Sequence, residues 1–361
     1  MAEEMQPQPA SVRVILRSVA GEELELDASR TSSTALLRQK LSIQWHIPPR
    51  CLRLLVNTAI MGESEVLAEH CQAADSELHV TVLVALDDVT RDLEVGVRSD
   101  KRVRALRILG ELGTRGGECA LAAVCARLED EDAAMRSAAV RALVQVAEKG
   151  NENAIVAMSR RLADCKAAVR EEAVKALPLL AERGNLRVVT AVVERLQHVD
   201  WGVRSAALRT LPQVALRSDK ALIVAVGACL EDEDEDVRDA AVEALAHLAE
   251  RGDASALAAV GAHLHNLDAA VRQAAVRALT QVAVKGDKKA ISAVVARVQD
   301  EDPDVRDVAV EALAQVAVRG DEGTITAIKA HSQHFDLGVR RTVVRALAQV
   351  VQESDAVAGG G

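Results

Sequence analysis

The chain is nearly devoid of aromatic side chains. Its 361 residues include no tyrosine, and Trp45, Trp201 and Phe335 are the only large rings. An interior must then be filled by Ala, Val and Leu, which suits closely packed small helices. The stacking platforms on which single-stranded nucleic acid usually rests are missing. Positive charge is also in deficit: 44 Lys and Arg against 54 Asp and Glu leave a formal charge of −10. Non-specific nucleic-acid affinity comes from cations that displace counterions, so a phosphate backbone is a poor partner for this balance. No apolar run is long enough to span a bilayer, and the opening MAEEMQPQPA lacks the apolar core of a signal peptide. The six cysteines, Cys51, Cys71, Cys119, Cys125, Cys165 and Cys229, show neither a CxxC spacing nor a disulfide framework. Together these absences predict a protein of a reducing compartment, the cytoplasm, with the nucleus left open, and no membrane or nucleic-acid partner.

Catalytic signatures are equally scarce. There is no phosphate-binding glycine loop and no Ser/His/Asp pattern. The acidic stretches Glu129 to Asp132, Glu231 to Asp236 and Asp300 to Asp304 lack the turn glycine and terminal glutamate of a calcium-binding EF-hand. They precede expected helix N-termini, where carboxylates are favoured by the helix dipole. Cys229 with His263, and His331 with His334, fall short of the three or four convergent ligands that zinc requires. No metal, no cofactor and no enzymatic activity are expected.

What is present is repetition. Arg102, Arg136, Arg170, Arg204, Arg238, Arg272, Arg306 and Arg340 follow one another at a constant step of 34 residues, and Leu109 to Leu347 repeat in the same step seven places further on. A fixed period of this length signals a solenoid, in which each unit buries its apolar face against its neighbours. Each complete unit carries two amphipathic helices, the second typified by Val237, Ala241, Val242, Leu245 and Leu248. Gly116, Gly150, Gly184, Gly252, Gly286 and Gly320 are expected to stop the second helices in a left-handed conformation. Asn151, Asn185, Asp219, Asp253, Asp287 and Asp321 are expected to cap the next first helices.

The N-terminal region follows another rhythm. Residues 1–10 read as a disordered leader. From Ser11, apolar residues alternate on either side of Ala20-Gly21, the pattern of two strands and a tight turn. A helix is predicted from Thr31 to Ile43 with Leu36, Leu37 and Leu41 on its apolar face, then the strands CLRLLV and SELHVTVLV. Over about Val12 to Leu83 this order resembles ubiquitin and ubiquitin-like domains, through Ala20-Gly21, His46-Ile47-Pro48-Pro49, Arg53-Leu54-Leu55 and Glu77-Leu78-His79-Val80. The resemblance implies an apolar recognition patch at Val19, Leu55 and Thr81 with His79 beside it. Thr81 departs from the family's valine, and Asn57-Thr58-Ala59 from its Ala-Gly-Lys turn.

The paired helices and the DxxxxVRxxAVxAL pattern resemble HEAT repeats, in particular the short HEAT-like repeats also found in bilin lyases, over about residues 86–354. The expected fold is thus multidomain: an α+β ubiquitin-like β-grasp domain at 11–85, an all-α HEAT-like, armadillo-type solenoid of about eight 34-residue repeats at 86–354, and a flexible Gly-rich tail at 355–361 that includes Gly359, Gly360 and Gly361. In the HEAT-like family an Asp six residues before the arginine joins an ion-pair ladder. Here that column holds Asp130, Asp164, Asp232 and Asp300, but His198, Asn266 and His334 in other repeats. A second period of two repeats is visible too: Glu243 and Glu311 stand where Arg209, Arg277 and Arg345 occur in the neighbours, which predicts pairing of these side chains level with one another.

In the early repeats the same column reads Arg107, Arg141, Lys175 and Arg209 with no acid between. Second helices generally line the concave side of HEAT arrays. The column is either a solvated face partly neutralised by Glu171 and Glu172 or a seat for an acidic or phosphorylated protein segment. The expected function is a non-enzymatic adaptor with a protein partner on that face, with possible ubiquitin-type recognition through Val19, Leu55 and His79. A bilin lyase or isomerase is the alternative by fold resemblance, against which the scarcity of aromatics counts. Deoxyhypusine hydroxylation is set aside, because that family's His-Glu metal ligands have no counterpart here. An apolar end at Val343, Val344, Val350 and Val351 could favour self-association, so the oligomeric state stays open.

Overall fold

A computed structural model describes residues 11–72 and 75–351; the leader and the Gly-rich tail with Gly359 to Gly361 lie outside the described residues. The chain divides into two compact units, Met1–Ala157 and Met158–Gly361.

The first unit begins with strands β1 (Ser11–Ser18), β2 (Glu23–Ser29), β3 (Leu52–Val56), β4 (Ala59–Ile60) and β5 (Glu77–Val84), in the sheet order β2-β1-β5-β3-β4. β1 and β5 run parallel at the centre, and the other pairings are antiparallel. Strict alternation sets the buried face: Val12, Val14 and Leu16 on β1, Leu78, Val80 and Val82 on β5, Leu52 and Leu54 on β3. Helix α1 (Thr34–Trp45) contributes Leu37, Leu41 and Trp45 to the buried core, and Ser33 caps it by accepting from the Leu36 N–H. A parallel central pair with one helix between β2 and β3 is the β-grasp arrangement. Leu36 departs from the expected apolar face and is 43 % exposed. The core is already filled by residues spaced four apart, and Leu36 points away from them.

The same unit continues through α2 (Asp87–Arg91), α3 (Ser99–Leu112), α4 (Gly117–Arg127) and α5 (Ala133–Val146). The opening helix of the first repeat is thus cut to five residues. Arg50 pairs with Asp92 at 2.7 Å, Arg53 with Asp87 at 3.2 Å, and Arg115 donates to the Trp45 carbonyl. These bonds tie the sheet to the first helices.

Helix α6 (Glu152–Arg161) contains the boundary between the units. The second unit then alternates first helices, α8 (Leu186–Val193), α10 (Lys220–Ala228), α12 (Ala254–Gly261), α14 (Lys288–Arg297) and α16 (Glu322–Lys329), with second helices. The latter are α7 (Ala167–Leu180), α9 (Trp201–Val214), α11 (Glu235–Leu248), α13 (Ala269–Val282), α15 (Pro303–Val316) and α17 (Leu337–Val350). Leu177, Leu211, Leu245, Leu279 and Leu313 are buried, while Leu347, in the last helix, is only half-buried. At that end Val343 and Val350 are buried, whereas Val344 and Val351 are exposed.

Asn185, Asp219, Asp253, Asp287 and Asp321 cap the first helices of this unit, their side chains accepting from N–H groups two or three residues on. The glycines act differently from expectation. Gly184, Gly252, Gly286 and Gly320 have positive φ, but each lies four residues beyond its helix and aims its N–H at the neighbouring repeat. They donate to the carbonyls of Val214, Val282, Val316 and Val350, the last helical residues of the next second helices, at 2.7–2.8 Å. The left-handed turn therefore satisfies an orphan carbonyl of the following helix, not of its own. Ser218 does the same with φ 60, donating to Leu248 at 2.8 Å. Gly116 is an exception with φ −71: a tight turn at Gly113–Gly116 moves the positive φ to Gly113 and Gly117.

Candidate functional site

The anchor arginines organise the loops between paired helices. In every repeat of the second unit the arginine donates to a carbonyl six residues upstream, and in most to the one five upstream as well. Arg204 holds His198 and Val199 at 2.9 and 3.0 Å, Arg238 holds Asp232 and Glu233 at 2.8 and 3.0 Å, and Arg272 holds Asn266 and Leu267, both at 2.9 Å. Arg340 holds His334 and Phe335 at 2.7 and 2.8 Å. Where the next repeat supplies an aspartate, the guanidinium also crosses the junction. Arg204 grips Asp232 at 2.7 and 2.6 Å, and Arg272 grips Asp300 at 3.0 and 2.7 Å, both bidentate. These bonds raise both guanidinium pKa values above the ordinary arginine range. Arg102 reaches Asp130 in the first unit through Nη2 alone, its Nε being buried without a hydrogen-bond partner.

His198, Asn266 and His334 preserve only half of the aspartate's task. Each accepts the N–H two residues on, that of Asp200, Asp268 or Asp336, as Asp232 and Asp300 do for Asp234 and Asp302. None accepts from the preceding arginine. Arg170 instead lies 3.9 Å from Asp200, and among the described residues Arg238 and Arg306 form no salt bridge. The Nε atoms of Arg238 and Arg306 are buried without a hydrogen-bond partner. Asn266 donates to Glu231 at 2.8 Å, and His263 lies 3.0 Å from the same carboxylate.

On the second-helix face of the second unit lies a groove across α7, α9 and α11. One cavity of about 500 Å³ is lined by Arg170, Glu171, Trp201, Arg209, Asp239 and Glu243 among others. A second of about 490 Å³ adds Lys175, Arg183 and His247 and shares Arg209, Ala240 and Glu243 with the first. Trp201, the first residue of α9, is 46 % exposed in this groove. The predicted basic column is only partly open here. Arg209 is bound by Glu171 through both carboxylate oxygens, whereas among the described residues Lys175 has no ion-pair partner. In the first unit Arg107 and Arg141 are exposed on α3 and α5; Arg107 lies 3.7 Å from Glu111, and Arg141 also has an electrostatic or hydrogen-bond partner.

The expected level pairing of Glu243 and Glu311 with their neighbours is replaced by a diagonal one. Arg209 binds Glu171, Arg277 binds Asp239 at 2.8 Å and Arg345 binds Asp307 at 2.7 Å, each partner being 38 residues upstream. Helical side chains lean toward the N-terminus, so an arginine reaches back one turn to the neighbouring helix.

On the β-grasp sheet, Leu55 sits opposite Thr81 and His79 opposite Ile15, so these residues share the face turned away from α1. Val19 is in the adjoining β1–β2 turn, 76 % exposed. Ile60, paired with Leu55 and 57 % exposed, joins this face although the sequence reading did not single it out. Its alternation signal was obscured because β4 is only two residues long.

The profile of HEAT repeats matches residues 97–178, 160–246 and 227–314, more than half of the chain. The chain belongs to the HEAT-repeat family. HEAT repeats generally serve as scaffolds for protein interaction. Among solved structures, this HEAT protein is similar to an engineered protein (21 % identity, 73 % of this chain and 77 % of that one, TM-score 0.36). It is similar also to YibA of Escherichia coli (20 %, 73 % and 91 %, TM-score 0.40). The third similar structure, a ubiquitin of Caldiarchaeum subterraneum, aligns with 20 % of this chain and 92 % of its own length at 16 % identity and TM-score 0.19. No curated protein matches the sequence. No helix among the described residues of the HEAT protein is long and apolar enough to cross a membrane.

Proposed function

We propose that the protein is a non-enzymatic scaffold whose HEAT repeats take an acidic or phosphorylated protein segment along the second-helix face. The observation that supports this reading most is the groove over α7, α9 and α11, where Lys175 stands without an ion-pair partner among the described residues in one cavity and an exposed tryptophan, Trp201, lines the adjoining one. Glu171 holds Arg209 in place, so a ligand carboxylate or phosphate meets Lys175 first and shares Arg209 second. Glu243 and Asp236 on the far wall set a direction: the acidic part of the segment lies toward α7, and any basic part toward α11. The face of Val19, Leu55 and His79 is a separate protein-binding surface in this reading.

Trp201 supplies the readout, since Trp45 is the only other tryptophan and is buried. A synthetic peptide alternating phosphoserine and glutamate should protect Trp201 from acrylamide quenching, and the signal should vanish in Trp201→Phe. Lys175→Glu should weaken binding at least tenfold. Unchanged quenching with this peptide, or binding untouched by Lys175→Glu, would overturn the assignment of the partner.

A further inference from the structure

From His198 onward, the residue following the ladder position alternates together with the ladder itself. It is Val199, Leu267 and Phe335 in the His and Asn repeats, and Glu233 and Glu301 in the Asp repeats between them. The three apolar side chains are 91 %, 97 % and 89 % exposed. Isolated apolar residues on a surface need no explanation. These three occupy one structural position in every second repeat, and each has its backbone carbonyl fixed by an arginine, the buried Arg204 and Arg272 or the half-buried Arg340. The bond holds the loop so that the side chain projects outward. Adjacent repeats pack about 10 Å apart, which separates the knobs by about 20 Å and stretches the row over about 40 Å.

Charge defines what such a row accepts. The loops at 198–200, 231–236, 266–268, 300–304 and 334–336 contain thirteen carboxylates and no Lys or Arg. Glu233 and Glu301 lie 3.6 and 3.4 Å from Arg204 and Arg272, yet their side chains remain 89 % and 85 % exposed. The edge offers no strand to which an extended chain could add, so a partner must satisfy its own backbone, as a helix does. We propose that this loop edge docks a cationic amphipathic helix, with apolar residues on Val199, Leu267 and Phe335 and Lys or Arg against Glu233 and Glu301. The surface is distinct from the groove on the second helices and does not depend on it.

The probe is a fluorescent synthetic helix of about 27 residues, the length that covers the row at 1.5 Å per residue, with leucine on one face flanked by lysine. A counterpart carries glutamate in place of lysine. Against the full chain, the lysine helix should bind and the glutamate helix should not, with an anisotropy signal that falls as salt rises. Leu267→Ser combined with Phe335→Ser, both at exposed loop positions, should raise Kd at least tenfold with far-ultraviolet dichroism unchanged. Glu233→Gln with Glu301→Gln should flatten the salt dependence. Equal binding of the two helices, or unchanged affinity of the double serine variant, overturns the proposal. So does self-association of the chain, seen by light scattering and removed by the serine variant, because the row would then be covered by a second copy. Knob-dependent binding to neutral phosphatidylcholine vesicles without binding of the lysine helix would likewise assign the row to a lipid surface.

Discussion

The loops at Asp232 and Asp300 and those at Asn266 and His334 occupy equivalent places in the second unit but are anchored to different degrees. An aspartate caps its own loop and also takes the preceding repeat's arginine, so two junctions share one side chain. Asparagine and histidine keep the cap and lose the cross-junction bond, leaving Arg238 and Arg306 with a buried Nε unsatisfied. Local loop geometry and coupling between repeats are therefore separable functions of one column. The less coupled loops are also the ones that expose Leu267 and Phe335.

The sharpest way to break this contrast is Asp300→Ala. Both Arg272 and Asp300 are buried, and removing one member strands the other charge, at a cost of about 3–5 kcal/mol. Urea unfolding should show that loss. An effect below about 1 kcal/mol would mean that the tied and untied junctions are equivalent in energy.

The reverse exchange should stabilise, by a smaller amount. His334→Asp retains the acceptor for the Asp336 N–H and offers Arg306 a carboxylate, worth about 1.5–3 kcal/mol for a hydrogen bond to a charged group. Asn266→Asp should gain less, because Asn266 donates to Glu231 at 2.8 Å and an aspartate there would face that carboxylate. If both exchanges raise the urea midpoint equally, the local environment of Asn266 has no part in the difference.

The columns of this comparison were legible in the sequence, whereas the bonds between them were only partly so. Leu177 to Leu313 recur because burial at a repeat junction constrains residue type in every copy, and Arg204 to Arg340 because each arginine holds the carbonyl six residues upstream. The β-grasp sheet could be read for the same reason, its buried Val12, Val14 and Leu16 alternating on one strand. The diagonal pairs Arg277–Asp239 and Arg345–Asp307 were not, since they depend on the axial offset between stacked helices, which no spacing within one helix reports. Nor was the role of Gly252, whose left-handed turn looks like a cap for its own helix but donates to Val282 of the next. At the groove, the sequence showed a run of cations, but Glu171 on a helix one repeat away decides that Arg209 is shared and Lys175 is open. The exposed row was within reach. Val199, Leu267 and Phe335 follow the three ladder departures directly, a signal that emerges once the copies are compared for their differences.

The smallest effect concerns what the two kinds of loop still have in common, the capping aspartate at the start of α11, α13, α15 and α17. Asp336 accepts from the Val339 and Gly338 N–H groups, and these bonds hold its carboxyl below the ordinary aspartate range. Its contribution is present above the unfolded-state pKa of about 3.9 and is lost as pH falls through the lower folded value. Asp336→Asn keeps an acceptor of similar shape but removes the charge that favours a helix N-terminus. The variant should be slightly less stable than the parent at neutral pH in urea titrations, and the gap should close below about pH 4. A gap that persists into acid would place the effect in the shape of the cap, and the loops at Phe335 and Leu267 would then be held by their arginines and cap geometry with no help from the carboxylate charge.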